Sequence, residues 1–91
     1  MSTVGSEFVE RIFTEIERQQ GEGEGRLVQG FSISDVWGVY FVTANRSEDD
    51  WSIKVTWFGR VLGYWPLDEQ SNVVAVAEEI VAVLRNSSSP S

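Results

Sequence analysis

Trp51-Ser52-Ile53-Lys54-Val55-Thr56-Trp57-Phe58-Gly59-Arg60-Val61-Leu62-Gly63-Tyr64-Trp65 alternates apolar and polar side chains with period two on both sides of a glycine. That is the pattern of a half-buried antiparallel hairpin. A two-residue turn at Gly59-Arg60, with glycine in the first central position, pairs Phe58 with Val61 and sets the register. Trp57 then lies opposite Leu62, Val55 opposite Tyr64 and Ile53 opposite Pro66, with Trp51 continuing this core side. The other face receives Phe58 beside Val61, Thr56 beside Gly63, and Lys54 beside Trp65, where the ammonium group can lie over the indole.

Upstream, two strands are expected near residues 26–33 and 36–43. Reading Ser34-Asp35 as a tight turn pairs Ile33 with Val36 and sends Trp37, Val39 and Phe41 to the second face. A one-residue slip there would instead move Trp37 and Phe41 to the core. Residues 44–50 are polar and read as a loop. The second face therefore collects Trp37, Val39, Phe41, Phe58, Val61 and Trp65, an apolar set large enough to need a cover. Either one helix packs on each side of the sheet, or both helices share one side and another protein covers the other.

The helices follow from spacing. Phe8, Val9, Ile12, Phe13 and Ile16 form one stripe of a helix that starts with Ser6 as N-cap and ends near Gln20. Gly21-Glu22-Gly23-Glu24-Gly25 follows as a flexible connector. It is not a phosphate loop, because it sits between a helix and a strand and carries two carboxylates. A final helix, about residues 72–85 with Ser71 or Asp68 as cap, has Val73, Val74, Val76, Ala77, Ile80, Val81, Val83 and Leu84 over nearly half its circumference. Residues 1–86 read as a single α+β domain in the order α-β-β-β-β-α, a four-stranded antiparallel meander flanked by two helices. Residues 87–91 read as a disordered tail, and the first few residues as loose.

Composition narrows the chemistry. The 91 residues are 42% hydrophobic with four tryptophans, which suits a packed domain. There is no cysteine and no histidine. Disulfides, thiolate nucleophiles, the commonest metal ligand and the usual general base are thereby excluded. The serines have no histidine partner, and residues 45–50 lack the spacing of a calcium loop. The expectation is a non-catalytic protein with no cofactor and no metal. The N-terminus has no basic segment ahead of an apolar run and no span is long enough for a membrane, so the chain reads as cytoplasmic.

The net charge of −7 opposes direct binding to nucleic acid. The α-β-β-β-α part of the order is similar to the double-stranded RNA-binding fold, but the basic helix end and lysine-rich loop of that fold have no counterpart here. The expected function is a protein–protein interaction module, such as an inhibitor, adaptor or chaperone-like subunit, that forms a homodimer through its aromatic sheet face. The alternative is an acidic inhibitor that mimics nucleic acid, using Glu7, Glu10, Glu15, Glu17, Glu48, Asp49 and Asp50.

Overall fold

The computed structural model describes residues 5–88, with side chains to residue 86. The chain runs through α1 (Ser6–Gln20), β1 (Leu27–Gln29), β2 (Ser32–Trp37), β3 (Tyr40–Ser47), β4 (Asp50–Trp57), β5 (Arg60–Pro66) and α2 (Val73–Ser88). The strands form one antiparallel sheet in sequence order. The α+β class and the meander agree with the sequence reading, but the described residues form five strands where it expects four.

The extra strand comes from the turns. The register pairs Gln29 with Ser32, Trp37 with Tyr40, Ser47 with Asp50 and Trp57 with Arg60, so all four connections have two residues. Their first central residues, Gly30, Gly38, Glu48 and Phe58, have φ of 55°, 66°, 58° and 50°. Such primed turns match the twist of the strands they join. Gly59 also has positive φ, at 81°, so the last turn is Phe58-Gly59 and not Gly59-Arg60. Ser34-Asp35 is no turn; both residues lie inside β2. Ala44 to Ser47 and Asp50 are strand residues and not part of a long loop, and Ala44 is fully buried.

Both helices cover the same sheet face. Val9, Ile12, Phe13 and Ile16 of α1 and Val76, Ala77, Ile80, Val81 and Leu84 of α2 are buried with Ile33, Trp37, Val42, Ala44, Trp51, Ile53 and Val55 of the sheet. The broad stripe of α2 meets α1 as well as β5. The two helices run side by side in the same direction. At their C-terminal ends Arg85 donates to the Gln19 carbonyl at 3.1 Å and to Gln20 Oε1 at 3.0 Å. The bond to Gln19 satisfies a backbone carbonyl that the end of α1 leaves open.

Two caps differ from the sequence reading. Gly5, not Ser6, precedes α1 and makes no side-chain cap. Asn72 caps α2, its Oδ1 accepting from the Ala75 amide at 3.0 Å, while Asp68 and Ser71 hold the preceding turn. Ser87 and Ser88 of the expected tail belong to α2; residues 89–91, like the N-terminal residues 1–4, lie outside the described residues.

The connector between α1 and β1 is tied down. Asp35, 1% exposed, accepts from the Gly25 amide at 3.1 Å and the Val36 amide at 2.7 Å. The Glu24 amide donates to the Val36 carbonyl, and the Trp37 indole N–H donates to the Gly21 carbonyl, both at 2.8 Å. A Cβ on Gly23 would collide with the Asp35 carboxylate and come within 2.7 Å of the Val36 carbonyl oxygen. Gly23→Ala is therefore expected to lower unfolding stability by about 1–3 kcal/mol, the usual cost of overpacking. Urea denaturation checks this, and an unchanged midpoint would contradict the close packing.

Candidate interaction surface

Neither α1 nor α2 packs on the second face of the sheet. Strand pairing arranges its side chains in three rows. Gln29, Ser32, Asn45, Ser52 and Pro66 form the first, and Leu27, Ser34, Thr43, Lys54 and Tyr64 the second. Val36, Phe41, Thr56 and Val61 form the third, next to the Gly38-Val39 and Phe58-Gly59 turns. The first two rows are mainly small hydroxyl and amide side chains; the third is mainly apolar. Tyr64 is 61% exposed, Val61 54%, Leu27 53% and Phe41 50%.

Of the six residues assigned to this face from sequence, the structure brings Phe41 and Val61 together there. Val39 and Phe58 sit in the turns at its end and are exposed, with Phe58 packed edge-on against Trp57. Trp37 and Trp65 are not on it. Trp37 is buried on the helix side, 6.4 Å from the Phe13 ring, because β2 continues through Asp35 without turning.

Trp65 is displaced for a different reason. Moving the turn from Gly59-Arg60 to Phe58-Gly59 leaves the faces of β5 unchanged. A bulge then follows: Thr56 pairs with Val61, but Val55 pairs with Gly63, so Leu62 is the extra residue. Past the bulge the alternation inverts. Trp65 turns to the helix side opposite Ile53, and Tyr64 turns outward opposite Lys54. The Trp65 ring lies over Gly63, where a Cβ would come within 2.5 Å of it, and its N–H reaches Glu79 Oε1 of α2 at 3.4 Å. Lys54 therefore neighbours Tyr64 and not Trp65. The sequence signals for this inversion are the second glycine of the hairpin, Gly63, and the tryptophan two residues beyond it.

The acidic candidates are scattered and partly paired. On α1, Arg18 donates to both oxygens of Glu15, to Oε2 at 2.6 Å and to Oε1 at 3.1 Å, and Gln19 donates a further bond. These hydrogen bonds hold the Glu15 carboxyl below its ordinary value and raise the Arg18 guanidinium. Glu17 pairs with Arg26 at 2.6 Å, and Asp49 lies 3.7 Å from Arg46. Glu7 and Glu10 lie in the first half of α1, while Glu48 lies in the β3–β4 turn and Asp50 follows it. No single patch gathers all seven.

Among the described residues, no three His, Cys, Asp or Glu side chains converge on a possible metal position, and no helix is long and apolar enough to cross a membrane. The chain matches no family model, no curated protein sequence and no solved structure.

The two faces should respond differently to substitution. Phe41→Ser and Tyr64→Ser remove only cross-strand contacts and should change stability by roughly 1 kcal/mol or less. Ile53→Ala and Ile80→Ala open cavities in the core and should cost about 2–5 kcal/mol. Chemical denaturation of the four variants checks the contrast; equal losses on both faces would show that the second face is also packed.

Proposed function

We propose that the chain is a small, non-catalytic protein–protein interaction module whose contact surface is the open face of the sheet. The observation that carries this reading is the exposed apolar row of Phe41 and Val61, extended by Tyr64 and by Val39 and Phe58 at the turns. Aromatic and aliphatic side chains on a rigid sheet are well suited to anchor an interface, since they lose little conformational freedom on binding. The small hydroxyl and amide residues beside them supply the polar margin such interfaces carry. Inhibitor, adaptor and chaperone-like subunits all operate by contact of this kind, and a cytoplasmic location fits the chain's composition.

Mimicry of nucleic acid finds less support. It needs a regular array of free carboxylates, and Glu15, Glu17 and Asp49 already face arginines of the same chain. Exposed pairs of this sort are weakened by salt, so an interaction through them would be strongly salt-dependent.

Hydroxyl-radical footprinting in an extract of the source cells, with the protein at nanomolar concentration, tests the proposal. The expected result is protection of Phe41 and Tyr64 relative to buffer, retained at high salt, with no protection of Arg11 on α1 or Val74 on α2. Protection confined to the helices, or lost on addition of salt, would contradict it.

A further inference from the structure

We infer that the open face pairs with the same face of a second copy of the chain, about a two-fold axis running along the Val36–Phe41–Thr56–Val61 row. This rests on reading that face as a contact surface and adds the identity of what occupies it.

Charge is the first argument. The chain has 14 acidic and 7 basic residues, so two copies repel wherever their carboxylates meet. The acids lie on the two helices, in the connectors and at the β3–β4 turn, apart from the buried Asp35. The three rows of the open face hold no carboxylate, and Lys54 is their one charge; Asp50 lies beyond them at the far end. Face-to-face contact is thus the approach that keeps the acidic surfaces of two copies apart.

Edge-to-edge pairing is disfavoured by the strands themselves. β1 has three residues, while β5 is interrupted by its bulge and ends at Pro66. Short edges, bulges and proline all discourage sheet extension. The edges are guarded and the face is not.

The axis follows from the same rows. Rotation about the third row sets Phe41 and Val61 against their own counterparts. It also carries each Lys54 toward Phe58 of the second copy, because the two lie two residues on either side of Thr56 along the chain, Lys54 in β4 and Phe58 in the turn that follows. At about 3.3 Å per residue, the two Lys54 positions are then roughly 13 Å apart along the strands, beyond the screening length at physiological salt. The overlap spans four strands and about six residues of each, a footprint on the order of 400 Å² per copy. That is about half of a standard stable interface, so the dimer should be reversible in the micromolar range.

Sedimentation equilibrium across micromolar concentrations tests the inference, with cross-linking to place the axis. The expected result is a monomer–dimer equilibrium that Phe41→Asp and Val61→Asp each weaken by roughly tenfold or more, while Val74→Asp on α2 leaves it unchanged. Because the chain has no cysteine, single cysteines report position directly. Thr56→Cys on the axis should be joined to its counterpart by a short bis-maleimide. Ser52→Cys, about 26 Å from its counterpart along the strands, should not. The cross-linking result stands even if an aspartate variant fails to fold. A monomer throughout the range, a dimer indifferent to both aspartates, or linkage at Ser52→Cys in place of Thr56→Cys would overturn the inference. A monomer whose open face is still protected in extract would remove the second copy and leave the contact surface standing. A monomer with no such protection would remove both.

Discussion

Every strand of the sheet has two faces, and α1 and α2 both pack on the same one. Four two-residue turns hold consecutive strands in register, so the large buried side chains arrive on the same side: Ile33 and Trp37, then Val42 and Ala44, then Trp51, Ile53 and Val55. The helices supply the matching layer with Phe13, Ile16, Ile80 and Leu84. Burying those apolar surfaces is the dominant favourable contribution to folding. Once both helices are committed to one side, the open face is a necessary consequence of the layer arrangement.

The same constraint explains the one buried polar side chain among the described residues. Asp35 falls on the covered side because of its position in β2, and burial of a carboxylate without partners would be costly. Its Oδ1 accepts two backbone amides, one from the glycine-rich connector, while Oδ2 is buried without a hydrogen bond. Together with the Trp37 indole bond to Gly21, this contact draws the connector against the end of the sheet. The segment Gly21–Gly25 is therefore a docked element, although its composition suggests freedom.

Both helices are legible from apolar spacing: Val9, Ile12, Phe13 and Ile16 mark the buried face of α1, and Val76, Ala77, Ile80 and Leu84 that of α2. The β4–β5 hairpin was legible as well, and with it the placing of Ile53 and Val55 in the core and of Val61 outside. Asp35 misled the reading of β2, because a polar residue beside serine resembles a turn when its backbone partners are distant in sequence. Read as a turn, Ser34-Asp35 puts Trp37 on the wrong face. The exchange of Trp65 and Tyr64 has a different origin: a bulge is one unpaired residue, and period-two counting across it inverts every later assignment. What the face contacts is less legible than either. Side-chain pattern marks an exposed apolar row without naming its partner, and the distribution of charge over the folded surface carries that further step.

Solvent paramagnetic relaxation, measured by NMR on dilute monomeric protein with a soluble gadolinium probe, tests the one-sided sheet most directly. Strong attenuation is expected for the Phe41 and Tyr64 ring signals, with the Trp37 indole and the Ile53 methyls protected. Protection of Phe41 and Tyr64 in the monomer, together with attenuation of Trp37, would mean that a helix lies across the supposed open face and would contradict the arrangement on which every functional argument rests.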